Sequence, residues 1–388
     1  MRLAVVSHKV CWRSDISPTG YATDGGFPIQ IGAISELFDE TEIVVPVSPE
    51  KRRDGILPLD GHNTSVRELS VPAGEDLTRK ISFPFWLLTN CRSIWRSVKD
   101  ADAVHTPIPG DVGTIGLLFA LMQRKPLFVR HCGNWMVQRT AAEKFWRWMM
   151  EAFAGGRNVM FATGGSDSPP SRKNPNVRWV FSTSLRRDEL KRTQPRELPI
   201  DGQIRLIIAC RQESRKGTDV VIRSMPAIAE KFPNVVLDVV GGGSMLAEFK
   251  SLSASLAIDE KVIFHGHVAQ KKVIDLLRNA HLFCFPTTAS EGFPKAVLEA
   301  LACGLPVVTT KVSVLPVLIG SGCGVLLDDA TPECLADAVV KICSERELYN
   351  EMSLRALETA RGYSLEQWRD LIGNTLRVAW NVSSLSST

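Results

Sequence analysis

Two glutamates with seven residues between them, Glu291 and Glu299, could place a pair of carboxylates on one ligand. They lie in residues 286–308, where Pro294 can occupy the first turn of a helix and Gly304 marks a helix end. This pattern predicts Glu291 in a loop and Glu299 inside the helix that follows. Because the first N–H groups of a helix have no partner within it, the loop would also attract anionic or oxygen-rich groups.

A second group that could do chemistry is the basic pair Arg211 and Lys216, in the segment CRQESRKGTD after a predicted strand. A leaving diphosphate gains negative charge as its bond to a sugar breaks, and an arginine fork and a lysine can neutralise that charge. Basic residues in a charged loop are also compatible with a solvated surface. Paired carboxylates could instead serve a glycosidase, but the basic loop beside them fits a phosphate leaving group better.

Residues 286–308 resemble the E-x(7)-E signature of glycosyltransferase family 4. The resemblance implies that Glu299 binds the ribose hydroxyls of a nucleotide sugar and that Glu291 meets its sugar. It also implies that Gly292, Phe293, Pro294 and Lys295 surround this donor. The family pattern continues beyond the glutamates, through Glu291-Gly292-Phe293-Pro294, Glu299-Ala300, Ala302, Gly304 and Pro306-Val307.

The segment around Arg211 looks like the G-R-L-x-x-x-K-G segment of the same family, which implies that Arg211 and Lys216 contact the diphosphate. Cys210 stands in place of the usual glycine and Gln212 in place of the usual leucine, so the loop departs from the family pattern. Further residues match the family's strand-end loops or its histidine near the donor sugar: Gly25, Gly26, His131, Gly242 and His267.

Short runs rich in Val, Ile and Phe alternate with stretches of helical period, as in parallel β-α-β units covered by helices on both faces. We therefore predict an α/β protein with two Rossmann-like, doubly wound domains facing a central cleft, the arrangement called GT-B in the family resembled. The strands are predicted at residues 2–7, 42–48, 103–108, 126–132, 158–164 and 177–182, and at 204–210, 235–241, 261–266, 281–287, 306–310 and 324–327.

The domain boundaries follow from the same pattern. Residues 1–185 form the predicted N-terminal, acceptor-side domain, and the basic, proline-containing stretch 186–200 is predicted to be a linker. Residues 201–365 form the predicted nucleotide-sugar-binding domain. Residues 366–388 are expected to form a helix that could cross back to the N-terminal domain, with a frayed Ser-rich tail.

Composition excludes several classes of protein. The chain has 388 residues, enough for two hydrophobic cores, and nine cysteines without a C-x-x-C pair, which favours a reducing, cytoplasmic compartment. No nucleic-acid-binding motif is present, although residues 1–200 hold 27 Lys and Arg against 21 Asp and Glu. We expect no cofactor and no metal, because Asp100 and Asp102 lie at a helix-to-strand junction and not in a suitable loop.

Aromatic and basic residues are concentrated in two predicted helices, Ile81 to Val98 and Ala141 to Phe153. Such helices are compatible with packing on the first sheet. They are also compatible with an interfacial surface that meets a membrane, which would place the protein at the inner face of the cell membrane. Both alternatives stay open at the level of sequence.

The resemblance implies a glycosyltransferase that moves a sugar from a UDP- or GDP-sugar to a saccharide or lipid-linked acceptor, with retention of configuration. Alternatives on the same scaffold are a nucleotide-sugar epimerase and a catalytically inactive nucleotide-sugar-binding protein. A nicotinamide-dependent dehydrogenase is disfavoured because SHKVCW, and not G-x-G-x-x-G, follows the first strand.

Overall fold

The chain is divided into two compact units in the computed structural model, which describes residues 1–50, 55–74, 76–166, 168–199 and 202–387. The first unit holds the described residues of 1–164, 168–184 and 365–388, and the second those of 165–167 and 185–364. Each unit is built around its own sheet, which is parallel throughout in the second unit, whereas in the first the short edge strands pair antiparallel. Both ends of the chain thus contribute to the first unit.

The first unit contains a sheet whose central strands are parallel and buried. Its order from one edge is β10-β9-β8-β7-β1-β4, with β6 beside β4 and the short β2, β3 and β5 continuing from β4. The strands are β1 Arg2–Val6, β2 Cys11–Arg13, β3 Tyr21–Asp24, β4 Glu40–Ser48, β5 Ile56–Pro58, β6 Thr64–Leu69, β7 Ala103–Ile108, β8 Leu127–His131, β9 Asn158–Thr163 and β10 Val177–Val180.

Helices cover both faces of this sheet. On one face α1 and α13 bury Ile34, Trp368 and Leu376, and on the other α2, α3 and α4 bury residues such as Ile94 and Met150. Continuous apolar strands are expected when both faces are covered. The helices are α1 Phe27–Ser35, α2 Asp76–Asp100, α3 Asp111–Met122, α4 Ala141–Phe153 and α13 Leu365–Trp380.

The second unit is a six-stranded parallel sheet in the order β13-β12-β11-β14-β15-β16, with one continuous core. Numbered within the unit this order is 3-2-1-4-5-6, the doubly wound order of dinucleotide-binding folds. Its strands are β11 Arg205–Ala209, β12 Val236–Val240, β13 Val262–Gly266, β14 Leu282–Phe285, β15 Val307–Thr310 and β16 Gly324–Leu327.

Nine helical segments surround the second sheet in the described residues. They are α5 Arg187–Arg192, α6 Thr218–Lys231, α7 Leu246–Ser255, the 3-10 turn Asp259–Lys261, α8 Gln270–Asn279, α9 Lys295–Ala302, α10 Leu315–Ile319, α11 Pro332–Ser344 and α12 Arg346–Arg361.

Two predictions about connections are wrong. Residues 186–199 are not a free linker, because they include α5 and bury Leu190 and Leu198 in the core of the second unit. Ile200 and Asp201, where the predicted linker ends and the next domain begins, lie outside the described residues. The tail is not frayed either: Leu385 is buried in the first unit, and the Ser387 amide donates a hydrogen bond to Asp39 at 2.6 Å.

The predicted strands are all present, and four further strands were not predicted. These are β2, β3, β5 and β6, which are short or have partly exposed, mixed sequences that lack the apolar runs of the central strands. The predicted helix from Ile81 to Val98 is longer, running over Asp76–Asp100 with Pro84 inside it. Asp100 ends that helix and Asp102 precedes β7, where its carboxylate accepts a hydrogen bond from the Arg2 amide.

Candidate functional site

The strand order places a ligand crevice in the second unit between β11 and β14, where neighbouring crossovers run in opposite directions. In open parallel sheets, ligands bind beyond the carboxyl ends of the strands at such a switch point. Lys216 lies in the loop after β11 and Glu291 in the loop after β14. The Lys216 ammonium and a Glu291 carboxylate oxygen are 2.5 Å apart, and both side chains are mostly buried.

Close backbone contacts hold these two loops together. Gly217, at the start of α6, has φ +89°, and a Cβ there would lie 2.5 Å from the carbonyl oxygen of Pro286. The carbonyl oxygen of Arg215 accepts hydrogen bonds from the amides of Thr288 and Ala289, at 3.0 and 3.1 Å. The ion pair of Lys216 and Glu291 is therefore supported by backbone on both sides.

Arg211 is not brought into contact with Lys216 or Glu291. Its side chain is 74% exposed and its guanidinium donates to the carboxylate of Glu213 at 2.9 Å. An exposed ion pair of this kind contributes little stability, so the guanidinium can exchange Glu213 for an incoming anion at small cost. The structure places Arg211 on the same loop as Lys216 but leaves it facing solvent.

Gln212 was not predicted as a site residue, yet it organises this loop. Its fully buried side-chain amide donates to the carbonyl oxygens of Cys210 and Val240, both at 3.0 Å, and its side-chain oxygen accepts from Thr218 at 2.7 Å. A leucine, which the family pattern has here, could make none of these bonds. The departure from the pattern gives the loop a polar anchor.

Gly242 belongs to a glycine run that packs directly on this loop. Its carbonyl oxygen accepts a hydrogen bond from the backbone N–H of Gln212 at 2.9 Å. A Cβ on the preceding Gly241 would lie 1.9 Å from the Cys210 carbonyl oxygen, which explains why glycine stands there. His267, in the loop after β13, is exposed beside Gly242, and a Cβ on Gly242 would lie 3.5 Å from the His267 Cβ.

Glu299 lies inside α9 and Glu291 in the loop before it, so the helix boundary separates the two carboxylates. Glu299 is 8% exposed and accepts a hydrogen bond from the side chain of Gln270 at 2.6 Å. Burial raises the pKa of Glu299, while this hydrogen bond opposes the rise. Gln270 begins α8 and was not predicted; no local sequence signal links it to a residue 29 positions away.

The loop from Gly292 to Pro294 leads directly into α9, whose first residue is Lys295. Pro294 caps this helix without a side-chain hydrogen bond, and the ring of Phe293 contacts that of Tyr363 at 5.9 Å. The Glu291 amide donates to the Ser313 hydroxyl at 3.1 Å. These contacts fix the loop beside the ion pair, and Ser313 is a further residue that the sequence did not indicate.

The remaining predicted site residues, Gly25, Gly26 and His131, lie in the first unit. Gly25 has φ +71° and Gly26 precedes α1, so the glycines form the turn into that helix. His131 ends β8; its ring is buried, contacts Trp135 edge-on, and its Nδ1 has no hydrogen-bond partner among the described residues. Burial lowers the pKa of His131 to about 4, so the ring is neutral at physiological pH.

Two kinds of site are absent from the described residues, a cluster of metal ligands and a helix that could span a membrane. Within them, no group of three or more His, Cys, Asp or Glu side chains could hold a metal ion. None of the helices there combines the length and the apolar composition that crossing a membrane requires.

Comparison with known proteins agrees with this geometry. Residues 191–359 match the family described as glycosyl transferases group 1. The chain is 34% identical to D-inositol 3-phosphate glycosyltransferase of Streptomyces griseus over 43% of this chain and 37% of that protein. It is 26% identical to phosphatidyl-myo-inositol mannosyltransferase of Mycobacterium leprae over 62% of this chain and 58% of that protein. Both matches thus cover less than two thirds of the relative's length.

Among solved structures, the protein HepE of Anabaena in complex with UDP superposes with a TM-score of 0.70, covering 97% of this chain and all of that one. Its sequence is 14% identical, so this likeness concerns the fold. The two parallel-sheet units, the switch-point site and the family match over most of the second unit agree with one another. The chain therefore has the GT-B fold, and its residues 191–359 are similar to the glycosyl transferases of group 1.

Proposed function

We propose that the chain transfers a glycosyl group from a nucleotide-diphosphate sugar to a saccharide or lipid-linked acceptor. The observation that carries this proposal is the buried ion pair of Lys216 and Glu291 at the switch point of the second sheet. A cation stabilises the negative charge of a departing diphosphate, and a carboxylate accepts hydrogen bonds from the hydroxyls of a sugar. The family match of residues 191–359 supports the same reaction class.

In the proposed complex, each site residue of the second unit has a separate role. Lys216, together with the exposed and reorientable Arg211, neutralises the diphosphate as negative charge develops on it. Glu291 accepts hydrogen bonds from sugar hydroxyls, and the buried carboxylate of Glu299 accepts two from the ribose diol. Gly242 and His267 lie beside this loop and are proposed to adjoin the nucleotide.

The proposed reaction retains configuration and needs no metal. The acceptor hydroxyl attacks the anomeric carbon on the face that the diphosphate leaves, and the departing phosphate oxygen takes the acceptor proton. Lys216 and Arg211 supply the positive charge that a metal ion would otherwise bring. His131, neutral at physiological pH, is proposed to hydrogen-bond a sugar hydroxyl, and the turn at Gly25 and Gly26 to offer backbone N–H groups.

Similar proteins guide the choice of substrates. HepE was crystallised with UDP, and the Mycobacterium leprae relative is named as a mannosyltransferase that acts on phosphatidyl-myo-inositol. We therefore propose a UDP- or GDP-sugar as donor and a polyol, saccharide or lipid-linked sugar as acceptor, consistent with a role in polysaccharide or cell-envelope assembly. All nine cysteines are free thiols, which supports action in the reducing cytoplasm. A lipid-linked acceptor would place this action at the inner face of the membrane.

The first test is a thermal-shift panel of UDP, GDP, ADP and NAD in the presence of EDTA. A nucleotide at a hundredfold its Kd should stabilise the protein by about 2.7 kcal/mol. Selective stabilisation by one nucleoside diphosphate, lost in Glu299→Ala and kept in the exposed control Glu230→Ala, supports the donor site. Stabilisation by NAD alone would exclude the transferase.

The second test follows turnover of the matching nucleotide sugar with and without acceptors. Product with the donor's anomeric configuration supports retention, and an inverted product overturns it. Conversion of the donor to another nucleotide sugar without acceptor would identify an epimerase instead. Tight nucleotide binding with no product for any acceptor would identify a catalytically inactive binding protein.

A further inference from the structure

Three neighbouring helices of the first unit, α2, α3 and α4, expose an unusual number of large apolar side chains. Leu88 is 75% exposed, Phe85 70% and Ile81 65%. Single exposed apolar residues are ordinary, but a contiguous apolar patch marks an interaction surface. We name this surface the apolar helix face, defined by Ile81, Phe85, Leu88 and Trp95 of α2, Leu118 and Met122 of α3, and Phe145, Trp148 and Phe153 of α4.

The three helices lie side by side, so the exposed residues belong to one surface. The ring of Trp95 in α2 meets Phe119 of α3 edge-on at 5.1 Å. The indole N–H of Trp146 in α4 donates to the Thr114 hydroxyl of α3 at 2.8 Å. All three helices pack on the same side of the sheet, within one core cluster.

The core does not need these exposed side chains. In α2 it uses Trp86, Ile94 and Val98, and in α4 it uses Met149 and Met150, all on the sheet-facing side. Exposed and buried residues thus occupy opposite sides of the same helices. Packing on the first sheet, one of the two alternatives that the sequence left open, accounts for the buried aromatic and apolar residues. It leaves the apolar helix face uncovered.

Three aromatic rings of α4 form a continuous exposed row. Phe145 contacts Trp148 at 5.9 Å between ring centroids, and Trp148 contacts Phe153 at 6.5 Å. Aromatic rings with this exposure are favoured at the boundary between lipid headgroups and acyl chains.

The charge around this face is positive. The acidic side chains described on α3 and α4 are already engaged: Asp111 pairs with Arg79, Glu143 caps α4, and Glu151 is buried against Arg147. Among the described side chains of these helices and the turn after α3, five cations are exposed against one exposed carboxylate, Asp100; the cations are Arg92, Arg96, Lys99, Arg124 and Lys144. The surface is therefore complementary to an anionic partner.

We propose that the apolar helix face docks onto an anionic phospholipid bilayer, with its aromatic and aliphatic side chains in the interface and its cations on the headgroups. Apolar burial and attraction to anionic lipids add in such binding. This inference deepens the proposed function, because it rests on a lipid-linked acceptor being reached from the bilayer.

The apolar helix face lies where it could bring a lipid-linked acceptor close to the carboxyl edge of the first sheet. Helix α2 precedes β7 and runs against it, so the first turns of α2 lie at the carboxyl edge of the sheet. Arg79 in these turns pairs with Asp111, the first residue after the β7 loop, at 2.8 Å. Ile81 and Phe85 follow directly on α2. His131 ends β8 at this same edge, so docking would bring the edge that carries His131 next to the bilayer.

Vesicle co-sedimentation tests the proposal without any activity measurement. Purified protein is mixed with phosphatidylcholine vesicles that do or do not contain phosphatidylglycerol. We expect binding that requires phosphatidylglycerol, falls with added salt, and drops about tenfold or more in the variant F85S/L88S. The variant R92E/R96E should lose binding to a similar degree. Both variants carry changes at exposed positions, and unfolding curves will verify that they fold.

Matched controls lie elsewhere on the chain. Val378→Ser removes an equally exposed apolar side chain from α13, and K231E/K341E reverses two exposed lysines of the second unit; both should bind vesicles as wild type. Equal binding of F85S/L88S and wild type would overturn the proposal, as would binding that ignores phosphatidylglycerol. Wild-type dimers that dissociate in F85S/L88S and never bind vesicles would identify a second copy of the chain as the partner instead.

The outcomes separate this proposal from the proposed catalytic function. F85S/L88S should keep the nucleotide-induced thermal shift, because neither residue belongs to the second unit. Glu299→Ala should lose that shift and keep vesicle binding. Loss of vesicle binding therefore tests the docking proposal, and loss of the nucleotide-induced thermal shift tests the donor site, each independently of the other.

Discussion

The side-chain amide of Gln270 donates a hydrogen bond to the carboxylate of Glu299 at 2.6 Å, joining the first turn of α8 to the middle of α9. Glu299 is buried, and burial disfavours its ionised form. A neutral donor such as Gln270 stabilises the carboxylate without cancelling its charge. The arrangement keeps Glu299 able to accept hydrogen bonds from a diol.

We expect Gln270→Ala to weaken nucleotide binding about five- to tenfold at neutral pH, because Glu299 loses the partner that orients it. The loss should grow as the pH falls, since removing this hydrogen bond raises the pKa of Glu299 further. Titration calorimetry of the nucleotide from pH 8 to pH 5 measures both effects. Asn279→Ala, at the other end of α8, is the control, and a pH profile identical to wild type in Gln270→Ala would contradict the assignment.

Lys216→Met should weaken binding of the nucleoside diphosphate about tenfold or more while changing nucleoside binding less than about twofold, because the ammonium is assigned to the diphosphate. Lys311→Met serves as the control, since Lys311 is ion-paired with Asp328 in the same unit. The affinities are compared by titration calorimetry. Equal weakening of nucleoside and nucleoside diphosphate would show that Lys216 acts on loop structure instead.

Gly217→Ala should destabilise the second unit by about 2 to 4 kcal/mol, because it adds a contact with Pro286 to the strain of a positive φ. The comparison is Gly266→Ala, which also has a positive φ but whose Cβ would meet no atom of the described residues within 4 Å, and should cost only about 1 kcal/mol. Urea unfolding of the two variants measures the difference. If both lose the same stability, the contact with Pro286 has no energetic weight.

His131 should make the folded protein less stable as the pH falls from about 6.5 towards 4. The unfolded chain binds a proton on this ring near pH 6.5, whereas burial lowers the folded pKa to about 4. Stability from the neutral ring is therefore complete above pH 6.5 and is lost progressively below it. His131→Gln should reduce the loss of stability between pH 7.5 and pH 5 by about 2 kcal/mol, measured by urea unfolding.

The exposed His62→Gln is the control for this measurement. If His131→Gln and wild type lose the same stability between the two pH values, His131 does not titrate as its burial implies. His105 and His281 also have pKa values lowered by burial, so part of the acid sensitivity should remain in the variant.

The sequence by itself determined the central strands of both sheets and the order of the loops that carry the candidate site. Runs such as Leu206 to Ala209 are apolar throughout, as expected for strands covered on both faces. The proline and glycine signals around α9 were enough to place Glu291 in a loop and Glu299 in a helix. These features depend on residues that are adjacent in the chain, so backbone preferences and local apolar patterns are enough to determine them.

Only the tertiary structure decided which side chains meet. Lys216 and Glu291 are 75 residues apart, and they pair because β11 and β14 are neighbours in the sheet. Gln212 and Gln270 gain their roles in the same way, from strands and helices that the strand order brings together. The apolar helix face was decided there too: sequence located the aromatic helices, but packing selected which sides the sheet buries and which remain exposed.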